Sequence, residues 1–426
     1  MLRSLSPFLL PLLLSLSLCT CGRAQNPPRD TIVANGPHTS ELTLLDLLIG
    51  LYRDSLGPIA QDPARYHAQV LYTQVDRNED GTVTLTTHRW GGDPNRYFYP
   101  ASTVKLPAAV LALQRLRELQ ADHPDLTPRT ALLTGKGEQP GSAPQTPATV
   151  DTSHALGRPT VENYLRKIFL VSDNDAYNRL FEWLGPEYLN EQLAARGLRR
   201  TRLLHRVGVS GYDTEAHAWL NPVTFVNGPD TLLRVGERHD PWYEPRPEIT
   251  DQRLGVGYIE GDSLVHEPFD FRRKNYVSLE DLHGTLARVI FPGSFPPEER
   301  FNLTEADRDL LIKSMHQRPR ESREITYDKP DNYVKFWIYG DRAEDFRIPD
   351  DVRVYNKVGW AYGFLTDVAY VKDYATGAEF FLSGTVHVNA NGIYNDGKYE
   401  YEEVGMPFFG GLGRVILDYE RTRRRP

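Results

Sequence analysis

Cysteine is nearly absent from this chain. Only two cysteines occur among its 426 residues, Cys19 and Cys21, and both lie close to the N-terminus. An apolar run from Leu5 to Leu18 precedes them, and Gly22-Arg23-Ala24 then places small residues at the two positions that signal peptidase reads. We therefore predict a signal peptide over residues 1–24, whose removal would leave a chain with no cysteine and no disulfide.

Lipid attachment to one of these cysteines is the alternative to plain secretion. The run Leu16-Ser17-Leu18-Cys19 is a poor match to the motif that lipoprotein processing requires, because Leu18 is not a small residue. We expect plain secretion, and a lipid anchor at Cys19 or Cys21 stays open. Both routes would place the protein outside the bacterial cytoplasm, in the periplasm or beyond it.

Three other features are missing. After the N-terminal segment no run of about 18 apolar residues occurs, which predicts no further membrane span. The formal net charge of -8 disfavours a nucleic-acid partner, which would require a basic face. The segment Asp76–Gly81 resembles the front of a calcium loop, but the twelfth position is Thr87 instead of the required glutamate. We therefore predict no metal ion and no cofactor.

The remaining sequence predicts one α+β domain. After a flexible leader over residues 25–40, residues 41–426 would form a single domain whose antiparallel sheet is closed by its termini, because strand patterns occur near both ends and helical patterns between them. Residues 222–276 are rich in proline, glycine and aromatics, and we interpret them as an ordered loop region or insertion. The predicted strands are Tyr66–Val75, Val83–Trp90, Arg353–Lys357, Thr366–Lys372 and Glu379–Val388.

Ser102 and Lys105 open a long apolar-periodic segment, predicted to be a helix over Ser102–Gln120. Residues three apart share a helical face, so the lysine amine could reach the serine hydroxyl. A buried lysine loses its proton more readily and could then activate the serine as a nucleophile. The structural alternative is a helix cap followed by a solvated lysine.

Two further polar clusters follow along the chain. The run Ser172-Asp173-Asn174 interrupts a helical pattern, and such short polar residues favour a turn or a cap. It is either a simple helix junction or a turn that points Ser172 and Asn174 into a cleft. The run Lys357-Val358-Gly359 ends a predicted strand, where it is either a glycine turn or an edge along which an extended ligand could lie.

In this order, the three clusters resemble the signature of the penicillin-recognising serine enzymes, and of class A β-lactamases in particular: Ser-x-x-Lys, then Ser-Asp-Asn, then Lys-Thr-Gly. The resemblance covers Glu41 to the C-terminus. It implies a three-layer αβα sandwich with an antiparallel sheet, an all-helical lobe beside it, and an active site between them.

The resemblance also implies a role for each residue. Ser102 would be acylated and Lys105 would take its proton, while Ser172 would pass a proton to the leaving nitrogen. Asn174 would hold the substrate side chain or Lys105, and Lys357 would attract the substrate carboxylate and polarise Ser172. The backbone N–H groups of Ser102 and Trp360, next to Gly359, would form the oxyanion hole.

The chain departs from the family pattern at the base for deacylation. Class A enzymes place a glutamate four residues before an asparagine, and here the position four before Asn221 is His217, with Glu215 two residues earlier. Either His217 or Glu215 activates the hydrolytic water, or no dedicated base exists and the acyl-enzyme turns over slowly or passes to an amine. Val358 is a second departure, because it cannot hydrogen-bond a substrate carboxylate as threonine or serine would.

We therefore expect an exported serine hydrolase, monomeric, that opens a β-lactam or related amide through an acyl-enzyme on Ser102. One alternative is a D-amino-acid peptidase or amidase that acts on cell-wall peptides. The other is a penicillin-binding protein that traps the acyl group without turnover. In each case the partner would be a small-molecule or peptide substrate.

Overall fold

The computed structural model describes residues 42–139, 146–153, 155–323 and 327–425 of the chain. The predicted signal peptide, the predicted leader and the two cysteines lie outside the described residues. Among the residues described, no helix has the length and apolar character that crossing a membrane requires. In chain order, the α-helices are α1 (Leu44–Leu51), α2 (Pro58–Gln61), α3 (Lys105–Leu119), α4 (Val161–Val171), α5 (Asn174–Leu184), α6 (Pro186–Ala194), α7 (Thr214–Ala218), α8 (Leu279–Ile290), α9 (Glu305–His316) and α10 (Met406–Thr422).

The strands come from both ends of the chain and from its middle. In chain order they are β1 (Gln69–Arg77), β2 (Val83–Gly91), β3 (Ala131–Thr134), β4 (Thr201–Arg202), β5 (Trp219–Leu220), β6 (Val223–Asn227), β7 (Asp230–Val235), β8 (Arg238–His239), β9 (Arg253–Leu254), β10 (Gly257–Glu260), β11 (Ser263–Val265), β12 (Phe269–Asp270), β13 (Tyr276–Val277), β14 (Val352–Ala361), β15 (Phe364–Asp373), β16 (Glu379–His387) and β17 (Ile393–Tyr394).

The main sheet has the order β14-β15-β16-β1-β2, and every neighbouring pair in it is antiparallel. The C-terminal strands therefore join the N-terminal ones through the pairing of β16 with β1. The prediction of a sheet closed by strands from both ends of the chain is confirmed. The strand boundaries differ from the predicted ones by a few residues, as is usual for boundaries inferred from patterns.

Each face of this sheet packs against a separate layer of helices. Helix α8 packs against β1, β15 and β16 on one face, while α1 and α10 contact β2 and β16 on the other. Because side chains alternate along a strand, Tyr355 of β14 belongs to the first core and Val354 to the second. The predicted three-layer αβα sandwich is therefore confirmed.

The all-helical part is built around α3. Ten of its consecutive residues, from Lys105 to Gln114, are buried, and α4, α5, α6 and α9 pack against it or against one another. A helix that is buried on all sides is apolar all round, and this one has little amphipathic character. The buried Lys105 at its first position and the buried Gln114 are the polar exceptions, and the Lys105 side chain is withdrawn from water.

The boundary of α3 corrects the sequence prediction. The helix begins at Lys105 and not at Ser102, which lies instead in a preceding 3-10 turn, Ala101–Val104. Pro107 explains the shift, since proline has no N–H and fits without loss only in the first turn of a helix, where amides have no partner in the helix. With the helix start at Lys105, Pro107 occupies the third helical position.

Residues 222–276 contain the short strands β6 to β13. These strands form small sheets with one another and with β3, β4, β5 and β17. Part of the segment is thus tied to distant parts of the chain, as in the parallel pairing of β10 with β17. Strand β3, which pairs with β6, comes from the segment between α3 and α4.

A buried ion pair fastens the loop after β4 to α5. Arg206 donates through Nε to the Glu182 carboxylate at 2.6 Å, and both side chains have no exposed surface. The same guanidinium donates to the Trp219 carbonyl at 2.7 Å. Because a charge left without its partner in the interior is costly, this pair fixes the position of the loop.

We predict that Glu182→Leu lowers the free energy of unfolding by about 3–5 kcal/mol, because it leaves the Arg206 charge buried and unpaired. Urea unfolding of the purified protein measures this change. Arg272→Gln is the matched control, since it removes an exposed ion pair with Asp270. The Arg272 side chain is 60% exposed and the Asp270 side chain 44%. The effect of this control should be much smaller, because solvent screens an exposed ion pair. Equal losses in the two variants would contradict the prediction.

Candidate active site

Ser102 lies in a strained turn at the start of α3. Ala101, immediately before it, has a left-handed φ of 45°. A residue other than glycine holds that conformation only when its surroundings impose it. The Thr103 N–H and hydroxyl both donate to the Pro100 carbonyl, at 3.0 and 2.6 Å, and so fix the turn. Ser102 is thereby held at the positive end of the α3 dipole, which favours developing negative charge.

Gly359 brings the edge strand β14 directly against this turn. A Cβ atom at Gly359 would lie 2.5 Å from the Pro100 carbonyl oxygen and 2.8 Å from the Ser102 backbone nitrogen. Only glycine allows so close an approach of two backbones. The backbone of Ser102 and the strand segment that ends at Trp360 are therefore adjacent, as the predicted oxyanion hole requires.

The Lys105 ammonium is bonded to the second cluster. Its Nζ donates to the Ser172 carbonyl and to Asn174 Oδ1, each at 2.6 Å, and lies 3.4 Å from Ser172 Oγ. Of the two roles considered for Asn174, the structure shows the contact with Lys105. Among the described residues the Ser102 hydroxyl makes no hydrogen bond, so the structure does not pair it with Lys105.

The second cluster occupies the junction of α4 and α5. Ser172 ends α4 in the left-handed conformation, with φ of 57° and ψ of 38°. Asp173 then caps α5, because its carboxylate accepts from the Ala176 N–H at 2.8 Å. The break turns both the carbonyl and the hydroxyl of Ser172 toward Lys105. The interruption of the helical pattern is thus a real turn, and it holds polar groups at the end of α3.

Lys357 approaches the same serine from β14. Its Nζ donates to Ser172 Oγ at 2.8 Å and to the Val358 carbonyl at 2.7 Å. The Ser172 hydroxyl therefore lies between two lysines, one from the central helix and one from the sheet. Ser172, Lys105 and Lys357 thus meet in one place, as the sequence predicted.

Burial changes the proton affinity of both lysines. Removal from water lowers the pKa of Lys105 to about 7, although the Asp173 carboxylate opposes this shift. Burial also holds the pKa of Lys357 well below its ordinary value, and the positive charge of Lys105 adds to this effect. Near neutral pH an unprotonated amine is therefore accessible at this site, which general base catalysis requires.

Val358 and Trp360 face the other side of the sheet. Val358 is completely buried in the core that contains α1 and α10, and the Trp360 ring packs 5.5 Å from that of Phe336. The substitution of valine for threonine in the third motif therefore places a methyl group in a core. The side chain that the family pattern would supply to a ligand is absent from this edge.

A polar network that the sequence did not predict lies behind β14. Lys335 Nζ donates to Asn356 Oδ1 at 2.6 Å, and Asn356 Nδ2 donates to Asp367 Oδ1 at 2.8 Å. All three side chains are buried. Burial lowers the pKa of Lys335 to about 7, an effect that Asp367 opposes. The network sits next to Lys357 along the strand, and its positive charge is a further cause of the low pKa of Lys357.

His217 lies in a cleft of about 400 Å³ beside the loop that Arg206 anchors. Its Nδ1 accepts from the Arg206 N–H at 3.4 Å, which places the proton of the neutral ring on Nε2. Burial, aided by the nearby His205 and Arg206, lowers the pKa of His217 to about 2. Such an imidazole has little affinity for a proton at neutral pH.

The other two candidates for deacylation have different surroundings. Glu215 also lines the cleft, but its carboxylate is 61% exposed and lies 2.9 Å from His239 Nε2. Asn221 is completely buried, and its side-chain amide donates to the Gly135 carbonyl at 3.1 Å. The three candidates are thus not assembled around one water position by any contact among the described residues.

A row of aromatic rings joins the Ser102 turn to this cleft. Tyr99 stacks on His205 with ring centres 6.3 Å apart, and His205 lies 5.3 Å from His217. Tyr212 stacks on the far side of His217 at 5.2 Å. Of these four residues only His217 was singled out from the sequence, because histidine and tyrosine spread over a hundred residues carry no spacing that points to one site.

The sequence profile of the β-lactamase enzyme family matches residues 80–418 of the chain, which contain all three motifs. The chain belongs to this family. It is therefore a β-lactamase-like serine hydrolase, an enzyme class that acts on amide bonds. The family that the three motifs indicated is confirmed.

Solved structures of β-lactamases resemble this chain at low identity. That from Xanthomonas campestris pv. campestris has 16% identity and a TM-score of 0.47, over 89% of this chain and 99% of the other. The enzyme from Desulfarculus baarsii has 17% identity and a TM-score of 0.46, over 87% and 97%. A class A β-lactamase from Mycobacterium abscessus has 16% identity and a TM-score of 0.43, over 88% and 97%. No curated protein matches the chain.

We predict that Gly359→Ala slows acylation by a β-lactam by about a hundredfold, because the new methyl group displaces β14 from the Ser102 amide. Stopped-flow measurement with a chromogenic cephalosporin tests this. Gly293→Ala is the control, since nothing lies within 4 Å of the added Cβ there. An unchanged acylation rate in Gly359→Ala would show that this close approach does not serve the reaction.

Proposed function

We propose that this enzyme opens a β-lactam ring, or a related amide, through an acyl-enzyme on Ser102. The observation that carries the proposal is the position of the Ser172 hydroxyl, 2.8 Å from Lys357 Nζ and 3.4 Å from Lys105 Nζ. A structural lysine would gain nothing from such burial, since desolvation disfavours its charge. Two buried lysines that share one hydroxyl are suited to move a proton.

In the first step Ser102 Oγ attacks the carbonyl carbon of the amide. Its proton passes to Lys105, whose lowered pKa makes the neutral amine available at the N-terminus of the same helix. The Ser102 hydroxyl must approach Nζ more closely on substrate binding, which is common for catalytic hydrogen bonds in free enzymes. The carbonyl oxygen gains the negative charge.

We assign the stabilisation of that charge to the backbone N–H groups of Ser102 and Trp360. The contact of Gly359 with the Ser102 turn supports this assignment, because it brings the two backbones together. Each such donor contributes about a hundredfold or more to the rate. The α3 dipole acts in the same direction.

Collapse of the tetrahedral intermediate breaks the carbon–nitrogen bond. Ser172 Oγ gives its proton to the leaving nitrogen and takes one from the Lys105 ammonium, 3.4 Å away, so the proton lost by Ser102 reaches the nitrogen. Lys357 polarises Ser172 during this transfer. The products of the step are an ester on Ser102 and an amine that stays attached to the opened ring.

Deacylation is the slower half of the reaction in this proposal. Water must attack the Ser102 ester, and an imidazole with a pKa near 2 is a poor base for it. Of the alternatives considered for the sequence, the geometry favours the absence of a dedicated base. We therefore propose a long-lived acyl-enzyme, which a substrate amine could also resolve.

We also propose that the enzyme acts outside the cytoplasm. The N-terminal pattern of an apolar run and small residues supports export, although it lies outside the described residues. The described residues 42–139, 146–153, 155–323 and 327–425 contain no cysteine, so they fold without a disulfide in any compartment.

We predict that incubation with benzylpenicillin adds the intact mass of the drug to the protein and that the adduct decays slowly. Time-resolved intact mass spectrometry with peptide mapping measures both, and Ser102 should carry the adduct. Ser102→Ala should form none, and Lys105→Met should form it more slowly by on the order of 10³-fold, because the general base is lost.

The same time course distinguishes the alternatives. A His217→Ala or Glu215→Gln variant whose adduct outlives that of the unaltered enzyme would identify a deacylation base after all. No adduct with any β-lactam would refute the proposal and favour another amide substrate. Rapid release of hydrolysed drug would contradict only the slow deacylation.

We predict that the acylation rate rises by about tenfold per pH unit below pH 7 and levels off above it, because only the neutral Lys105 amine accepts the proton. Stopped-flow acylation between pH 5 and pH 9 measures this profile. Lys335 also has a pKa of about 7, so Lys335→Met is the control. This variant should keep the midpoint pH of the acylation profile, because the proton is accepted by Lys105. A midpoint that moves in that variant would assign the profile to the network behind the strand.

A further inference from the structure

The cleft beside His217 contains charges of both signs. It is lined by the loop around α7, by residues 240–243 and by residues 270–274. Four carboxylates and two cations belong to its lining: Asp213, Glu215, Asp240, Asp270, Arg273 and Lys274. Whether such a cleft attracts a cation or an anion depends on which of these charges are already compensated.

Each carboxylate of the cleft has a partner. The Asp213 carboxylate caps α7 by accepting from the Ala216 N–H at 2.8 Å, and Glu215 pairs with His239. The Asp240 carboxylate accepts from the Glu187 N–H at 3.1 Å, and Asp270 forms an ion pair with Arg272 at 2.6 Å. Each carboxylate of the cleft is thus engaged by a group of the protein, and that of Asp270 is paired with a permanent cation.

The two cations differ in this respect. The Arg273 guanidinium lies 4.4 Å above the Tyr243 ring, and Lys274 Nζ lies 5.9 Å from the Phe269 ring centre. In the part of the chain that the structure describes, neither cation forms an ion pair. The Lys274 backbone is fixed, since its N–H donates to Phe271 and its carbonyl accepts from Arg202.

Lys274 lines the cleft and is connected to the Ser102 turn by a series of aromatic contacts. The Phe269 ring that it approaches packs 5.3 Å from Tyr362, and Tyr362 packs 5.0 Å from Tyr99 of the run that leads to Ser102. Its charge also contributes to the low pKa of His217. A substrate that extends from Ser102 into the cleft would therefore pass Lys274.

We propose that Lys274, with Arg273 beside it, binds a carboxylate carried by the acyl part of the substrate. The inference rests on the proposed acylation of Ser102 and adds a substrate class to it, namely amides whose acyl side chain is anionic. An uncompensated cation in a partly buried cleft attracts an anion strongly, and charge-assisted hydrogen bonds would fix its position.

We assign the carboxylate to the acyl part of the substrate and not to the leaving group, because of the position of the loop after β4. A Cβ atom at Gly208 would lie 2.2 Å from Asn174 Nδ2, so this loop packs on the Asn174 flank of the site. The leaving nitrogen is assigned to the Ser172 hydroxyl, which the sheet approaches through Lys357. We therefore place the acyl side chain on the Asn174 flank, toward the loop and its cleft.

Two penicillins that differ by one carboxylate test the inference. Benzylpenicillin and its α-carboxy analogue share the ring and the phenyl group, and only the analogue carries an anion on the acyl side chain. We expect the second-order rate of Ser102 acylation to favour the analogue by on the order of tenfold, the effect of one charge-assisted contact. Lys274→Met should remove the preference, and Lys274→Glu should reverse it.

Lys313→Met is the matched control, because it removes an exposed lysine of α9 that does not line the cleft, and it should retain the preference. Acylation by both penicillins at equal rates, or a preference that survives in Lys274→Met, would overturn the inference and leave the proposed function intact. Thermal unfolding of each variant establishes that it is folded.

A second measurement does not depend on acylation. Calorimetric titration of Ser102→Ala with phenylmalonate and phenylacetate, the two side-chain acids, compares the same pair without chemistry. Tighter binding of phenylmalonate that is lost with Lys274→Met supports the inference, even if no penicillin acylates the enzyme. Equal binding of the two acids overturns it.

Discussion

The burial of the Lys105 ammonium is the constraint on which the site depends. An amine removed from water keeps its place only if its donors are satisfied, and here the Ser172 carbonyl and Asn174 Oδ1 satisfy two of them at 2.6 Å. Ser172 can present its carbonyl only because it adopts a left-handed conformation between α4 and α5. The burial of the Lys105 side chain therefore depends on three features together: the break between α4 and α5, its cap by Asp173, and the position of α3.

The second lysine adds a restriction on charge. Lys105 and Lys357 both reach Ser172, and two ammonium groups so close in a buried site repel each other. Lys335, behind the strand, adds a third positive group, which the carboxylates of Asp367 and Glu321 oppose. The cluster therefore favours states that have lost a proton. A lysine that is already unprotonated near neutral pH offers a free amine that can take the proton of a serine, which is why the arrangement suits acyl transfer better than simple structural support.

Much of the fold and of the candidate site could be predicted from the sequence, and the physical reason differs between the two. The sheet could be predicted because its strands are rich in β-branched and aromatic residues, and the family because Ser102, Ser172 and Lys357 stand in a known order. The helix start at Lys105 could not, since it depends on the fit of Pro107 into a first turn. Nor could the network of Lys335, Asn356 and Asp367, because these residues belong to a loop and two strands that only the fold brings together. The face of the sheet on which Val358 lies could not be predicted either, because it depends on the strand register.

The loop after β4 connects the two halves of the proposed reaction. Its polar groups are engaged in holding the loop: Arg206 binds Glu182, His205 accepts from the Asn275 N–H, and the Val207 backbone bonds Asn178. A general base for water needs a proton affinity that such burial removes. In the proposed reaction the loop therefore shapes the cleft and supplies no base. Lys274 and Arg273 form no ion pair among the described residues, and in the proposed reaction they would hold an anionic acyl group that is hydrolysed slowly.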